Sequence, residues 1–219
     1  EYENNIKALS NVSFRLEKGT ITGVIGRNGA GKSTLFKIIA GVIEDYSGVC
    51  SVDGLKSSLE LSYKISYLPE VRGLDGRMQV IEHLTDMVCY KGIKRKEAEK
   101  NVLYWLGVFE LEEMKYKKIN TLSKGNQQKL QFILSLASNP EILILDEPFS
   151  GLDPITSDLF WDIILRLKKE GKTIIFSTHN LSDKVELCDN YLFLLNGYLA
   201  ESGSLKDIKS RSNLICLLY

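Results

Sequence analysis

Only two histidines occur in the 219 residues, His83 and His179. Two imidazoles are too few for a histidine-based metal centre, so any metal ion would be held mainly by oxygen. Net charge is also lacking, with 28 basic residues against 28 acidic ones. A neutral chain has no overall field to hold a polyanion, which argues against a general nucleic-acid coat. No apolar run approaches the ~18 residues needed to span a bilayer. Cysteine is sparse: Cys50, Cys89, Cys188 and Cys216 are scattered without a C-x-x-C pair. That spacing fits neither a zinc site nor a disulfide framework, and it predicts idle thiols in a reducing compartment. Linkers, repeats and low-complexity tracts are missing too. The chain opens at Glu1 without an apolar leader, so nothing points to secretion, and the missing Met leads us to expect a trimmed or partial chain.

What is present suits one large core. Apolar residues make up 44% and charged residues 26%, which excludes overall disorder. At about 150 residues per domain the length predicts a single domain, residues 1–219. Five short runs rich in β-branched residues read as strands: Ile21–Ile25, Tyr63–Leu68, Ile142–Leu145, Thr173–Ser177 and Tyr191–Leu195. The continuous ones suit strands buried on both faces. Helical patterns over Lys32–Ala40 and Leu159–Glu170 alternate with them, which predicts an α/β fold with a mostly parallel sheet. Val12–Leu16 and Ser47–Gly54 read as antiparallel edge strands.

The middle of the chain differs. Val80, Ile81, Leu84, Met87 and Val88 recur at helical spacing, as do Val102, Leu103, Leu106 and Val108. Lys129, Leu130, Ile133, Leu134 and Leu136 belong to a third helix that ends before Asn139-Pro140. Residues 76–139 therefore read as a helical subdomain inserted between core segments 1–75 and 140–219. The basic clusters Lys91–Lys100 and Lys115–Lys118 read as solvated helix faces rather than as a nucleic-acid patch.

Three motifs carry chemistry. Gly26-Arg27-Asn28-Gly29-Ala30-Gly31-Lys32-Ser33, followed by Thr34, matches G-x-x-x-x-G-K-[ST] and joins a buried strand to a helix. Small residues let backbone amides turn inward around phosphate oxygens, and the helix N-terminus adds positive partial charge. Lys32 is placed to reach β/γ phosphates and Ser33 to ligate Mg²⁺. Ile142–Leu145 runs into Asp146-Glu147-Pro148. Neighbouring strand side chains point opposite ways, so Asp146 is expected to hold Mg²⁺ and Glu147 to orient and deprotonate an attacking water. His179 follows a third strand, and ligands in open parallel sheets bind at strand C-termini. This makes His179 a candidate γ-phosphate sensor.

Taken in order, these residues resemble the ATP-binding cassette of ABC transporters, with a P-loop NTPase core. The phosphate loop corresponds to Walker A and Ile142–Glu147 to Walker B. Thr121-Leu122-Ser123-Lys124-Gly125-Asn126-Gln127-Gln128 resembles the family signature Leu-Ser-Gly-Gly-Gln, Ser150-Gly151-Leu152-Asp153 the D-loop, and Ser177-Thr178-His179 the switch histidine. The motifs span nearly the whole chain. The resemblance implies ATP and Mg²⁺ as ligands. It also implies a head-to-tail sandwich in which Ser123, Lys124, Gly125 and Asn126 meet the ATP of a second cassette. Ser123 suits an N-cap there, beside a helix N-terminus that binds anions.

This chain departs from the family pattern at three points. Lys124 replaces the first signature glycine and Asn126 the glutamine, while Glu70 stands where the Q-loop glutamine stands and takes its metal-ligand role. Tyr2 is the residue to which adenine stacking is carried over. Tyr67-Leu68-Pro69-Glu70-Val71-Arg72-Gly73-Leu74 resembles exporters of the sodium-extrusion and antibiotic or bacteriocin groups. The absence of a membrane span then implies a separate transmembrane permease, docking near residues 70–90, and a peripheral location on the cytoplasmic face of the membrane. Two alternatives stand beside this reading: a soluble cassette such as one for iron–sulfur assembly, and a regulatory nucleotide-binding module without hydrolysis.

Overall fold

The computed structural model describes residues 7–56, 63–71, 73–180 and 184–211. Tyr2 and Cys216 lie outside them. In chain order the elements are β1 (Ile21–Ile25), α1 (Lys32–Ile39), a hairpin of β2 (Ser51–Val52) and β3 (Leu55–Lys56), and β4 (Ile65–Leu68). Then come α2 (Val80–Cys89), α3 (Arg95–Val108), α4 (Lys124–Ala137), β5 (Ile142–Leu145), α5 (Pro154–Lys169), β6 (Thr173–Thr178), β7 (Asn190–Leu195), β8 (Tyr198–Gly203) and α6 (Leu205–Arg211). The main sheet has the order β4-β5-β6-β1-β7-β8. It is parallel except for the β7–β8 pair. All five apolar runs supply its parallel strands, although Tyr63 and Lys64 are helical rather than extended.

The antiparallel edge is not where the sequence pattern puts it. Val12–Leu16 forms no strand. Its alternation has another cause: Val12, Phe14 and Leu16 lie partly buried against an apolar cluster on one face of the sheet, while Ser13 and Arg15 face solvent. Period-2 burial needs an extended chain but no ladder partner. Of Ser47–Gly54 only Ser51 and Val52 pair, with Lys56 and Leu55, around an Asp53-Gly54 turn whose φ angles are both positive. The true edge is β8, which returns on β7 through Asn196-Gly197, again with both φ angles positive. Asn-Gly between two extended runs is a strong hairpin signal because type I′ turns require that backbone.

Apolar residues pack on both faces of the sheet. One cluster gathers Val24, Leu35, Phe36, Ile144, Ile175 and Leu192 around α1. The other runs without interruption from α2, α3 and α4 into β5, β6 and α5. Its aromatic centre joins the inserted helices to the sheet layer. Phe132 of α4 stacks on Phe160 of α5 with ring centroids 4.0 Å apart, and Phe109 meets both rings edge-on. Phe132 and Phe160 are fully buried. Phe132→Ala is therefore expected to destabilise the chain by about 3–5 kcal/mol, the transfer loss plus an unfilled cavity. Urea unfolding measures this, and a loss below about 1 kcal/mol would mean that the helices repack around the gap.

Candidate active site

Three strands, β1, β5 and β6, end side by side at one edge of the sheet, and each delivers one motif there. From β1 the chain turns through Gly26–Gly31 into α1. Gly26 must lack a Cβ, since one would lie 2.6 Å from the Leu194 carbonyl oxygen of β7. Gly31, the N-cap of α1, has φ +102°, and a Cβ there would come within 2.7 Å of both the Ala8 carbonyl and Leu9 Cδ2. The Ala30 amide donates to Arg27 O at 3.1 Å and closes the turn. Among the described residues the amides of Asn28, Gly29, Gly31, Lys32 and Ser33 donate to no backbone carbonyl. They form a concave set of donors at a helix N-terminus, a cradle for phosphate. Arg27, Asn28 and Gly29 are exposed at its rim, Ala30 is buried, and Ser33 and Thr34 are half-buried.

Gly31→Ala is expected to cost roughly 1–2 kcal/mol for the left-handed backbone and roughly 1–3 kcal/mol for crowding against Ala8 and Leu9. Denaturant titration reads the sum. A change within experimental error would mean that the segment carrying Ala8 shifts freely.

Lys32 folds back across this loop. Its ammonium donates to Gly26 O at 2.7 Å and Arg27 O at 3.3 Å, and lies 3.2 Å from Glu147 Oε1. Both side chains are almost fully buried, at 6% and 7% exposure. The other oxygen of Glu147, Oε2, sits 3.0 Å from Nδ1 of His179, whose ring is 47% exposed. One carboxylate thus bridges a lysine at the loop and a histidine at the next strand end. β5 stops at Leu145, so strict strand alternation does not separate the acids. Glu147 instead takes a left-handed backbone, φ +49°, which turns it away from Asp146.

Asp146 is held by two hydroxyls. Ser177 Oγ donates to Oδ1 at 2.6 Å and Tyr67 OH to Oδ2 at 3.4 Å. Burial, then the negative charge of Asp146, pushes the Tyr67 phenol well above its usual range, and Glu70 adds in the same direction. Tyr67 and Ser177 escaped the sequence reading as contact residues. Their signal was positional, each lying on a strand that flanks β5. Glu70 is exposed, in a loop whose Pro69 and Val71 carbonyls accept from Gln131 Nε2 at 3.4 and 3.3 Å.

The signature residues are not part of this constellation within one chain. Ser123 caps α4, its hydroxyl accepting from the Asn126 amide at 3.2 Å, as an N-cap should. Asn126 Nδ2 reaches Met114 Sδ, and Lys124 and Gly125 are exposed. Asp153 caps α5 through the Thr156 hydroxyl and amide, and these hydrogen bonds hold its carboxyl below the usual range.

The donor set fits a phosphate ligand with one divalent ion. Among the described residues no three His, Cys, Asp or Glu side chains converge as a metal cage. The Ser33 hydroxyl and the Asp146 carboxylate offer hard oxygens beside the cradle, which suits Mg²⁺ completed by phosphate oxygens and water.

Residues 9–150 match the ABC transporter family. The chain belongs to that family. A protein of Methanocaldococcus jannaschii, named as an uncharacterized ABC transporter ATP-binding protein, is 46% identical over 208 residues, covering 95% of this chain and 76% of that one. An ATP-binding cassette solved as a dimer, in a post-hydrolysis state with ADP and Pi, matches with a TM-score of 0.84 at 27% identity and covers 94% of each chain. The cbiO1 protein of Clostridium perfringens, part of the transporter complex cbiONQ, matches with a TM-score of 0.80 at 26% identity over 98% of this chain and 89% of its own. The fold is therefore that of an ABC ATPase, and the chain is an ABC transporter ATP-binding subunit. Among its described residues no helix is long and apolar enough to cross a membrane.

Proposed function

We propose that this ABC subunit hydrolyses ATP to power an exporter, closing head to tail on a second cassette with each ATP bound. The observation that carries the reading is the Glu147 carboxylate, buried between Lys32 and His179 at the mouth of the phosphate cradle. The amides of Asn28, Gly29, Gly31, Lys32 and Ser33 bind the phosphates, and Lys32 leaves its own loop carbonyls to meet the β/γ oxygens. Ser33 and Asp146, with Glu70 at the rim, would hold Mg²⁺, which when bound neutralises phosphate charge. Glu147 accepts the proton of the attacking water, and His179 orients that carboxylate and senses the γ-phosphate.

In one chain Ser123 and Asn126 make their contacts at the start of α4 and with Met114, while Lys124 and Gly125 are exposed. The exposed N-terminus of α4 therefore remains for the γ-phosphate held by another cassette. The D-loop resemblance assigns Asp153, exposed at the start of α5, to the same joint. The partner is a second cassette, identical or different, and a separate permease holds the pair at the cytoplasmic face of the membrane. Residues 76–139 serve as the helical subdomain, and the permease docks near residues 70–90. Export rather than import rests on the Tyr67–Leu74 sequence alone. The transporter names of its relatives disfavour an iron–sulfur assembly role. The test is size-exclusion chromatography of Glu147→Gln with Mg-ATP, ADP or no nucleotide. A dimer with ATP alone supports the reading, whereas a monomer with ATP bound removes self-pairing.

A further inference from the structure

The end of β6 does more than present a histidine. Three consecutive residues there each touch a different part of the site. Ser177 Oγ donates to Asp146 Oδ1 at 2.6 Å and accepts from the Glu147 amide at 2.9 Å. Thr178 O accepts from the Gly26 amide at 3.4 Å, and His179 Nδ1 meets Glu147 Oε2. Ser177 has no exposed surface, so its single hydroxyl has no water to fall back on. The sheet register sets up the contact: Leu145 pairs with Phe176, so Asp146 and Ser177 lie side by side just past the β5–β6 pairing, while Ser177 is still held by its pairing with Val24 of β1.

We propose that Ser177 is a positioning residue for both acids. Its hydroxyl clamps the Glu147 backbone in the left-handed conformation that aims its carboxylate at Lys32 and His179, while fixing the rotation of the Asp146 carboxylate. The inference rests on the reading that Asp146 and Glu147 serve ATP hydrolysis. Two features make the hydroxyl the required group. A glutamate at φ +49° is in a sparsely populated region and persists only where its surroundings hold it. The hydroxyl is also engaged in both directions, donor to one acid and acceptor from the other, so its removal loosens both at once.

The test compares Ser177→Thr with Ser177→Val, two side chains of the same shape that differ in the hydroxyl. Ser177→Thr is expected to turn over at least about tenfold faster than Ser177→Val, since small misplacement of a catalytic group lowers rate by one to two orders of magnitude. The KM for ATP is expected to stay within about twofold, because the phosphate cradle is untouched, while half-saturating Mg²⁺ rises for Val. In a Glu147→Gln background at saturating Mg²⁺ the gap is expected to narrow, because there is no longer a base to position and only the Asp146 contact remains. Equal rates for Thr and Val in the parent would overturn the proposal. So would the same gap surviving in the Gln background, or a Val variant that no longer folds, either of which makes the hydroxyl an element of the fold. A Glu147→Gln protein that hydrolyses at the parent rate fails the Glu147 assignment instead, and is told apart by that result alone.

Discussion

Glu147→Gln is expected to lower ATP turnover by about a hundredfold or more, while leaving nucleotide binding in place. General-base assistance is worth about 10²–10⁴ in rate. Gln keeps the shape of the side chain but cannot take a proton from water. The contacts that bind phosphate belong to other groups: the loop amides, Lys32 and Ser33. Losing the carboxylate also frees Lys32, which now spends part of its charge on Glu147 Oε1 at 3.2 Å. Affinity for ATP is therefore expected to hold or to rise. A protein that binds but does not turn over accumulates in its ATP state, so this variant should elute as a dimer with Mg-ATP and as a monomer with ADP. Single-turnover hydrolysis and equilibrium nucleotide binding separate the two effects. Turnover near the parent rate would remove Glu147 from the role of base, and loss of ATP binding would assign it to the phosphate cradle.

The sequence told most about the parts whose chemistry is local. Gly26–Ser33 announces its own geometry, because a strand, a glycine-rich turn and a helix start must follow one another for that loop to exist. Ser123 was readable for the same reason, since an N-cap needs only the next three residues, whereas Asp153, read only as part of the D-loop, caps α5 by the same local rule. The parallel strands were visible because burial on both faces removes alternation. What stayed hidden depends on registers between distant segments. Nothing near Ser177 in the chain says that Asp146 lies 2.6 Å away, and nothing near Tyr67 points to the same carboxylate. The error over Val12–Leu16 has the same root. Its alternation reports one buried face, and the sequence does not say whether the neighbour across that face is a strand or a cluster of side chains. The β7–β8 hairpin was available in Asn196-Gly197, where turn chemistry outranks the weak alternation of Tyr198–Gly203. The departures Lys124, Asn126 and Glu70 are exposed or make their contacts away from the cradle, so a single chain leaves their signs to the partner cassette.

Lys32→Met is expected to destabilise the nucleotide-free protein by about 3–5 kcal/mol, the cost of leaving a buried carboxylate without its cation. Glu147→Gln should cost less. Its loss leaves an ammonium that still donates to Gly26 O at 2.7 Å and Arg27 O at 3.3 Å, whereas among the described residues Glu147 Oε1 has no hydrogen-bond donor other than the Lys32 contact. The double variant replaces a buried pair by two neutral groups of similar volume, and pairs of this kind are often exchanged at little net cost. It is therefore expected to be more stable than Lys32→Met alone. Urea unfolding of the four proteins closes the cycle, and simple additivity of the two single effects would show that the 3.2 Å contact carries no coupling. Ligand linkage supplies an independent reading of the same lysine. A protein that binds ATP only when folded gains stability as RT ln(1 + [L]/Kd), about 2.7 kcal/mol at a hundredfold excess over Kd. The parent and Glu147→Gln should show that gain and both Lys32→Met proteins should lose most of it, because the missing ammonium serves the phosphate in one state and Glu147 in the other.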